Sequence, residues 1–316
     1  MPQPTLSDVH VDRALTDLSV RYSQSADMFI ADRVFPTVRV RNRSDVYYVY
    51  DRSYWFRSDA ELRGPGAESA GSGWQVTTDS FSCNVYAIHK DIDDQTRANA
   101  DSPLQLDRDA TEFVTQHLLQ RREQAWVSTY FTTGVWATDV TPANKWSDYV
   151  SGDPIGDLRT GVITMAKNTA RKPNTLVMGA EVWNALQDHP DFLDRIKYTQ
   201  KGIVGPDLLA SLIGVERVMI AWSVKNTAAE GATPSYDFNL GKNALLMYVA
   251  PNPGLNTPTA GYTFRWTGLF GTGSNGIRIK RFRLERNASD RIEGEEALDQ
   301  KLVAADLGYF FNAAVA

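Results

Sequence analysis

The chain has 316 residues, of which 42% are hydrophobic and 22% are charged. This hydrophobic content is too high for an intrinsically disordered protein. A formal net charge of −5 argues against a protein whose main task is to neutralise phosphates, although nucleic acid can lie nearby. Cys83 is the only cysteine, so a disulfide framework or a cysteine-based zinc site within one chain is excluded and a reducing cytoplasm fits.

The first part of the chain predicts an arm followed by a long hairpin. Residues 1–44 mix apolar and charged positions, and we interpret them as an arm that contains one helix. Residues 44–50 and 74–92 are rich in β-branched and aromatic side chains, and a polar, glycine-rich stretch separates them. This pattern predicts a hairpin with a protruding tip.

Aromatic side chains are concentrated in the predicted hairpin. They are Tyr47, Tyr48, Tyr50, Tyr54, Trp55 and Phe56. A two-stranded ribbon is marginally stable alone because neither face has a second layer to bury against. For any one of these residues, packing on the chain's own core is the better explanation, but the cluster beside a tip indicates an intermolecular contact. The candidate contact residues are Tyr54, Trp55, Phe56, Arg57, Glu61 and Arg63.

The middle of the chain predicts a long helix and then a mixed module. Residues 104–131 have apolar side chains at helical spacing and no Gly or Pro, and Asp107 and Asp109 lie in the first turn, where their default role is capping. Helices are then predicted at 155–169, 180–186, 192–198 and 208–213, and strands at 174–178, 215–221 and 244–250. Residues 155–260 therefore predict an α+β or α/β module.

The end of the chain returns to strand character at 277–286 and 292–311. Ile277 and Ile279 are out of phase with Phe282 and Leu284, so the pattern predicts a β-bulge at Lys280–Arg281. A basic stripe runs through this segment, and most such stripes are solvated faces. Because arginine suits bidentate, partly desolvated pairing, we favour contacts between subunits over contacts with packaged DNA. The candidates are Arg278, Lys280, Arg281 and Arg283.

No motif predicts catalysis, a cofactor or a metal. Gly271, Gly273 and Gly276 spell G-x-G-x-x-G, but strand-like residues follow them where a phosphate-binding loop must open a helix, so we interpret a turn. The four histidines lack a metal-ligand spacing and are interpreted as structural: His10, His89, His117 and His189. An acidic cluster lacks the remainder of a calcium loop and is interpreted as a solvated turn: Asp91, Asp93 and Asp94.

Two stretches of the sequence resemble sequence patterns that recur in phage coat proteins. One is Asn174-Thr175-Leu176-Val177-Met178-Gly179-Ala180-Glu181-Val182-Trp183-Asn184-Ala185-Leu186 with the following residues to 198, and the other is Ile30-Ala31-Asp32-Arg33-Val34-Phe35-Pro36. The order of predicted elements also resembles the α+β major capsid protein fold of tailed bacteriophages, which encapsulin shells share. The resemblance implies these divisions: N-terminal arm 1–44, extended loop 45–92, peripheral domain with spine helix 93–154, axial domain 155–265 and returning peripheral strands 266–316.

The resemblance implies a structural protein that is not an enzyme. Subunits are expected to form hexamers and pentamers of an icosahedral head that encloses the genome, with each extended loop lying across a neighbour. The expected partners are other copies, a separate scaffolding protein, portal and decoration proteins, and double-stranded DNA by non-specific proximity. The first lysine, Lys90, lies outside the tip, so a lysine crosslink from the loop is not expected.

The expected location is the virion, after assembly in the host cytoplasm. No membrane span is expected, because the best apolar run, 244–250, is far shorter than the roughly 20 residues that a spanning helix needs. Two alternatives stay open. One is an encapsulin-like compartment that stores an enzyme, and the other is a cytoplasmic enzyme with an unrecognised site.

Overall fold

The structure is a computed structural model that describes residues 24–100, 104–196, 205–254, 257–270 and 276–316. Its helices are α1 (Ala31–Val34), α2 (Arg52–Trp55), α3 (Asp94–Asn99), α4 (Leu106–Tyr130), α5 (Pro154–Thr169), α6 (Ala180–Gln187), α7 (Pro190–Ile196), α8 (Pro206–Ile213) and α9 (Thr267–Phe270). Its strands are β1 (Thr37–Val40), β2 (Ser44–Tyr50), β3 (Val76–Ser82), β4 (Asn84–Asp93), β5 (Thr138–Val140), β6 (Thr175–Gly179), β7 (Arg217–Ala221), β8 (Val224–Asn226), β9 (Tyr236–Phe238), β10 (Ala244–Met247), β11 (Gly261–Trp266), β12 (Ile277–Leu284), β13 (Ser289–Leu302) and β14 (Gly308–Phe311). His10, Gly271 and Gly273 lie outside the described residues, as does the arm before residue 24.

A central mixed sheet has the strand order β5-β14-β10-β6-β7. Strands β6 and β10 are buried along their whole length, as expected for short apolar strands covered on both faces. Leu176 and Leu246 on one face pack with residues of α5, α6 and α8. Val177 and Leu245 on the other face pack with Trp126 of α4. The predicted strand 174–178 and the helices around it are confirmed.

A second sheet is built around the long strand β13. Strand β4 pairs with β13 along one edge, and β12 and then β11 pair along the other, with β1 parallel to β11. Helix α4, the predicted long helix, packs across this sheet. Gly294 of β13 permits this approach, because a Cβ there would overlap the side chain of Val114 on α4.

The predicted hairpin is confirmed for the antiparallel pair β2–β3. Its register runs from Ser44 opposite Ser82 to Tyr50 opposite Val76. The last part of its predicted second strand, residues 84–92, is not part of the hairpin, because it forms β4 and pairs with β13 in the second sheet. Between β3 and β4 only Cys83 intervenes, and there the chain passes from the hairpin into the second sheet. The hairpin is therefore joined to the body through short connections.

The predicted β-bulge at Lys280–Arg281 is wrong. The register of β12 with β13 is uninterrupted from Ile277 opposite Glu296 to Leu284 opposite Ser289. Each face of β12 consequently carries two apolar and two basic side chains. A bulge is not needed to separate them, because carboxylates on both faces of the sheet pair with the basic groups.

Sheet membership crosses the predicted divisions. Strand β14 falls in the segment 266–316 that was assigned to peripheral strands, yet it pairs with β10 in the central sheet. Strand β11 falls in the segment 155–265, yet it pairs with β13 in the second sheet. Strand β5, from the segment 93–154, also joins the central sheet. These pairings join distant parts of the chain, which local periodicity does not encode.

Candidate functional site

The root of the hairpin packs on the second sheet through one face. Tyr47 and Phe81 lie on that face, and their ring centroids are 5.8 Å and 4.2 Å from that of Phe264 in β11. The Tyr47 hydroxyl donates a hydrogen bond of 2.7 Å to Asp79 across the two strands. Burial, reinforced by this bond, raises the pKa of Tyr47, and the same bond lowers the pKa of Asp79. The root is therefore held by specific contacts.

The other face of the hairpin is open to solvent. Its exposed apolar side chains are Val46, Tyr48, Tyr50 and Val76. Farther out, Tyr50, Trp55 and Trp74 form an aromatic cluster in which the ring centroids of Trp55 and Trp74 are 5.9 Å apart and those of Tyr50 and Trp55 are 6.4 Å apart. Trp55 and Trp74 are 61% and 62% exposed, so contact with each other leaves most of both rings in water.

The predicted contact residues of the hairpin lie beyond its paired strands, in the segment between β2 and β3. Tyr54 is half-buried, and the guanidinium carbon of Arg57 lies 5.5 Å from the centre of its ring. Arg63 donates a hydrogen bond to the carbonyl of Ala67 within the tip. Every residue from 55 to 80 is exposed, including Trp55, Phe56, Arg57, Glu61 and Arg63. Large exposed apolar groups in such a setting mark interaction surfaces.

A cleft of about 2250 Å³ separates the hairpin from the body. Tyr47 and Val49 are among the residues that line its hairpin side, and Arg39 and Arg171 are among those that line the body side. An ion pair between Arg52 and Asp306 also links the two sides. Pockets for small molecules usually have about 300–1,000 Å³, so this cleft has the size to accept part of another polypeptide.

On one face of β12, the basic side chains pair with Glu295. Arg278 Nη2 and Lys280 Nζ lie 2.7 Å and 2.6 Å from its carboxylate oxygens. Burial opposes ionisation of Glu295, but hydrogen bonds from Lys280 and Arg278 prevail and lower its pKa to about 2. Each of these two basic candidates therefore has an acidic partner in its own chain.

On the opposite face of β12, the basic side chains reach the helices. Arg281 lies 3.1 Å from Asp107 of α4 and 2.8 Å from Asp290. Arg283 pairs with Asp94 at 2.5 Å, and the bond lowers the pKa of Asp94. Asp107 and Asp109 lie in the first turn of α4, as predicted, although neither is its N-cap residue. The Asp107 carboxylate also accepts hydrogen bonds of 2.8 Å and 3.0 Å from Arg97, and these lower its pKa.

A buried polar group that the sequence reasoning missed anchors the segment 30–36. Glu123 is fully buried and accepts hydrogen bonds of 3.0 Å and 2.8 Å from the N–H groups of Ile30 and Ala31, and one of 3.1 Å from Ser223. Burial raises the pKa of Glu123, although these hydrogen bonds oppose the shift. The Glu123 carboxylate therefore caps the start of α1 from inside the molecule.

Arg122 adds a second buried contact to the same segment. It lies 2.5 Å from Glu296 and 2.8 Å from Asp32, and Arg265 contacts the same Asp32 oxygen at 2.9 Å. A sequence signal for Arg122 did exist. It stands four residues after Leu118 and four before Trp126, and so lies on the buried stripe of α4.

Residues 174–196 also have a structural role, whereas 197 and 198 lie outside the described residues. The buried Asn174 side chain forms hydrogen bonds of 2.7 Å and 2.9 Å with the C=O and N–H of Val249. At Gly179 a Cβ would overlap the carbonyl oxygen of Gly241, which explains the glycine. His189 is buried, and its Nδ1 accepts a hydrogen bond of 3.2 Å from the Asp191 N–H. These contacts fix the packing around β6, α6 and α7.

The motifs set aside in the sequence behave as structural features where they are described. Strand β12 begins at Ile277, directly after Gly276, so no helix opens there. Asp91 pairs with Arg291 at 2.7 Å, and Asp93 caps α3, so the acidic cluster is a set of local contacts rather than the solvated turn expected. Within the described ranges, no group of three or more His, Cys, Asp or Glu is placed to hold a metal. The helices of those ranges include none that is long and apolar enough to cross a membrane.

Solved structures similar to this chain include shell proteins and a phage-related protein. The capsid structure of cyanophage P-SCSP1u matches with a TM-score of 0.64 at 10% identity, over 98% of this chain and 94% of that one. A phage-related protein from Bordetella bronchiseptica RB50 gives a TM-score of 0.67 at 17% identity, over 92% and 94%. The SrpI encapsulin of Synechococcus elongatus PCC 7942 gives 0.57 at 12% identity, over 95% and 93%. The chain therefore has the α+β fold of phage capsid proteins and encapsulins.

Similarity at the sequence level is to phage capsid proteins. The chain is 24% identical over 315 residues to the major capsid protein of Burkholderia phage BcepMu, covering 96% of both chains. It is also 24% identical over 312 residues to the major capsid protein of Pseudomonas phage JBD67, covering 97% of both. No known family model matches the chain. The resemblance to tailed-phage major capsid proteins therefore extends over almost the full length of the sequence.

Proposed function

We propose that the protein is a capsid subunit that assembles as hexamers and pentamers into an icosahedral shell around a phage genome. The observation that carries the proposal is the exposed outer half of the hairpin. Its aromatic cluster, Tyr50, Trp55 and Trp74, lies largely in water in the isolated chain. Covering these rings with an adjacent copy removes a large apolar area from water, at about 25 cal/mol per Å².

In the proposed shell the hairpin lies across the peripheral part of a neighbour. Tyr54, Trp55, Phe56, Arg57, Glu61 and Arg63 are its contact residues. The root contacts of Tyr47 and Phe81 support this arrangement, because a hairpin fixed at its base loses little conformational freedom when a partner covers its tip. The role is structural and involves no catalysis. The proposed partners are other copies, a separate scaffolding protein, and portal and decoration proteins.

The basic stripe is proposed as a secondary contact surface. Arg278, Lys280, Arg281 and Arg283 already pair with carboxylates of the same chain, so a neighbour must share or exchange these pairs. This pairing, together with the net charge of −5, favours a shell that lies near packaged double-stranded DNA without gripping it. We propose that the shell is assembled in the host cytoplasm and remains part of the virion.

Deleting residues 57–72 tests the proposal. The deletion spares both strands of the hairpin, so we expect a folded subunit that no longer forms shells. A double variant, Trp55→Ser with Trp74→Ser, removes the aromatic cluster without shortening the chain. The matched control is Ile163→Ser on α5, which changes a side chain of similar exposure, 68%, outside the hairpin. Circular dichroism measures folding, and size-exclusion chromatography with electron microscopy measures assembly. Normal closed shells from the deleted protein contradict the proposed role.

An encapsulin-like compartment is the alternative, since the fold is common to both kinds of shell. The named sequence relatives favour the phage shell. The contents of purified particles separate the two possibilities. DNA-filled particles joined to a portal support the phage shell, whereas DNA-free particles that contain an enzyme support the compartment. A stable monomer with a defined small-molecule pocket supports an enzyme instead.

A further inference from the structure

A second exposed aromatic surface lies away from the hairpin, on the small ribbon formed by β8 and β9. Val224 stands opposite Phe238 and Asn226 opposite Tyr236, so these four side chains share one face. Trp222 extends the same face, with its ring centroid 6.4 Å from that of Phe238. Trp222 and Tyr236 are 47% and 71% exposed. The ribbon thus presents an apolar face, although two strands alone are marginally stable in water.

The opposite face of the ribbon is already anchored. Ser223 is buried and donates to Glu123 of α4, and Asn239 is buried where β9 ends. Lys225 and Asp237, which pair across the two strands, are polar. Only the face of Trp222 and Tyr236 therefore has apolar side chains and no second layer among the described residues. A ribbon of this kind is completed by a helix or another strand.

Gln24, the first described residue of the chain, is hydrogen-bonded to the outer edge of this ribbon. The Gln24 side-chain amide donates to the Val224 carbonyl at 2.8 Å and accepts from the Val224 N–H at 2.9 Å. The side-chain amide of Gln116 on α4 lies 3.1 Å and 3.2 Å from the backbone oxygen and nitrogen of Gln24. The described chain therefore begins beside the uncovered face, and 23 residues precede Gln24 in the sequence.

We propose that the apolar face of the β8–β9 ribbon is the docking site for the chain's own residues 1–23. Four of these residues, Val11, Leu15, Leu18 and Tyr22, have the i, i+4, i+7, i+11 spacing of one apolar helix face. The face could instead be covered by a second copy. The chain's own segment is favoured because its attachment at Gln24 gives it a high effective concentration at the ribbon.

The reach of the segment agrees with this assignment. An extended chain spans about 3.3–3.6 Å per residue, so Leu18 can lie anywhere within about 20 Å of Gln24. A three-residue strand is only about 10 Å long, so every part of the ribbon face is accessible to Leu18. Tyr22, two residues from Gln24, can reach only the nearer part, within about 7 Å. The proposal does not rest on capsid assembly, since it concerns a contact within one polypeptide.

Paired cysteines in the full-length chain test the docking. Tyr236→Cys is combined in turn with Val11→Cys, Leu15→Cys, Leu18→Cys and Tyr22→Cys, and each variant is treated with a short bismaleimide. Cys83 is fully buried and does not compete. We expect at least one pair to crosslink within the monomer, seen as monomer mass with an internal link in peptide mapping. The control pair, Leu18→Cys with Ile163→Cys on the far side of the central sheet, should not crosslink. A product of dimer mass overturns the proposal in favour of a second copy.

Hydrogen exchange gives a second readout that needs no crosslink. The variant Leu15→Asp with Leu18→Asp removes two apolar side chains from the segment and leaves the described residues unchanged. If the segment covers the ribbon, amide exchange in residues 222–238 should accelerate about tenfold or more, while exchange in β6 and β10 stays unchanged. Unchanged exchange in 222–238, together with no internal crosslink from any cysteine pair, also overturns the proposal.

Discussion

Removing the buried carboxylate of Glu123 should weaken the fold at the junction of arm, long helix and ribbon. Glu123→Ala leaves the N–H groups of Ile30 and Ala31 and the hydroxyl of Ser223 without their acceptor. Each unsatisfied buried donor costs about 1–3 kcal/mol. Removing the carboxylate also removes the unfavourable burial of a charged group, which offsets part of the combined cost of the three donors. We expect the free energy of unfolding to fall by about 3 kcal/mol. Urea unfolding measures this, with protein concentration varied so that assembly is separated from folding.

The matched control is Glu112→Ala on the same helix. Glu112 forms a surface pair with Arg108 at i, i+4, so its removal should cost less than about 0.5 kcal/mol. Glu123→Gln keeps the size of the side chain and one acceptor oxygen, so an intermediate loss of about 1–2 kcal/mol is expected. If Glu123→Ala costs no more than Glu112→Ala, the three hydrogen bonds do not anchor the arm and the reasoning is refuted.

The pH dependence gives an independent check on Glu123. Its pKa is raised in the folded protein, chiefly by burial, so the folded chain retains a proton that the unfolded chain loses near pH 4.3. The stability contributed by this group is therefore greatest at low pH and is lost as the pH rises through the folded-state pKa. Glu123→Gln cannot titrate. The stability difference, native minus Gln variant, should accordingly shrink as the pH is raised above about 4.3.

Two further substitutions probe the core. Arg122→Met removes the nearest cation from the fully buried Glu296, which keeps only the longer contact with Arg121 at 3.4 Å, and should cost about 3 kcal/mol in urea unfolding. The double variant Arg122→Met with Glu296→Leu should recover much of the loss, and no recovery means that the charge pair is not the cause. Gly179→Ala places a Cβ against the carbonyl oxygen of Gly241 and should cost about 1–3 kcal/mol. The control Gly205→Ala, which has open space around it, should change stability little. Equal thermal unfolding temperatures of the two variants contradict the close approach of Gly179 to Gly241.

Much of the local structure follows from the sequence pattern. The apolar spacing of α4, the buried run of β6 and the hairpin pair β2–β3 were each predicted and are each present. The uninterrupted register of β12 was not predicted. Each of its faces mixes apolar and basic side chains, and without knowledge of their acidic partners this mixture resembles a break in the alternation of a strand. The apolar ribbon β8–β9 was missed as well, since strands of three residues give too little periodicity to detect.

Long-range pairing explains the remaining differences. Strand β14 pairs with β5 and β10, which precede it by more than sixty positions. The sequence of β14 alone does not indicate which strands it pairs with. The candidate contact residues of the tip could be proposed from sequence because their signal is local: aromatic side chains beside a glycine-rich stretch. Which surface of a neighbour they contact depends on a second chain. The contact itself therefore stays a prediction.

Short segments of chain connect the buried charged residues with the exposed hairpin. Helix α1, held by Glu123 and Arg122, leads through Phe35 and Pro36 into β1, and β1 leads through three residues into the first strand of the hairpin. The second strand returns through Cys83 into β4, which is paired along ten residues with β13. Both strands of the hairpin thus leave from segments that are fixed within the body. A partner that covers the aromatic cluster then orders few additional residues, so more of the burial free energy remains for association. Loosening α1 should consequently weaken assembly as well as folding, even though Glu123 lies far along the chain from the tip.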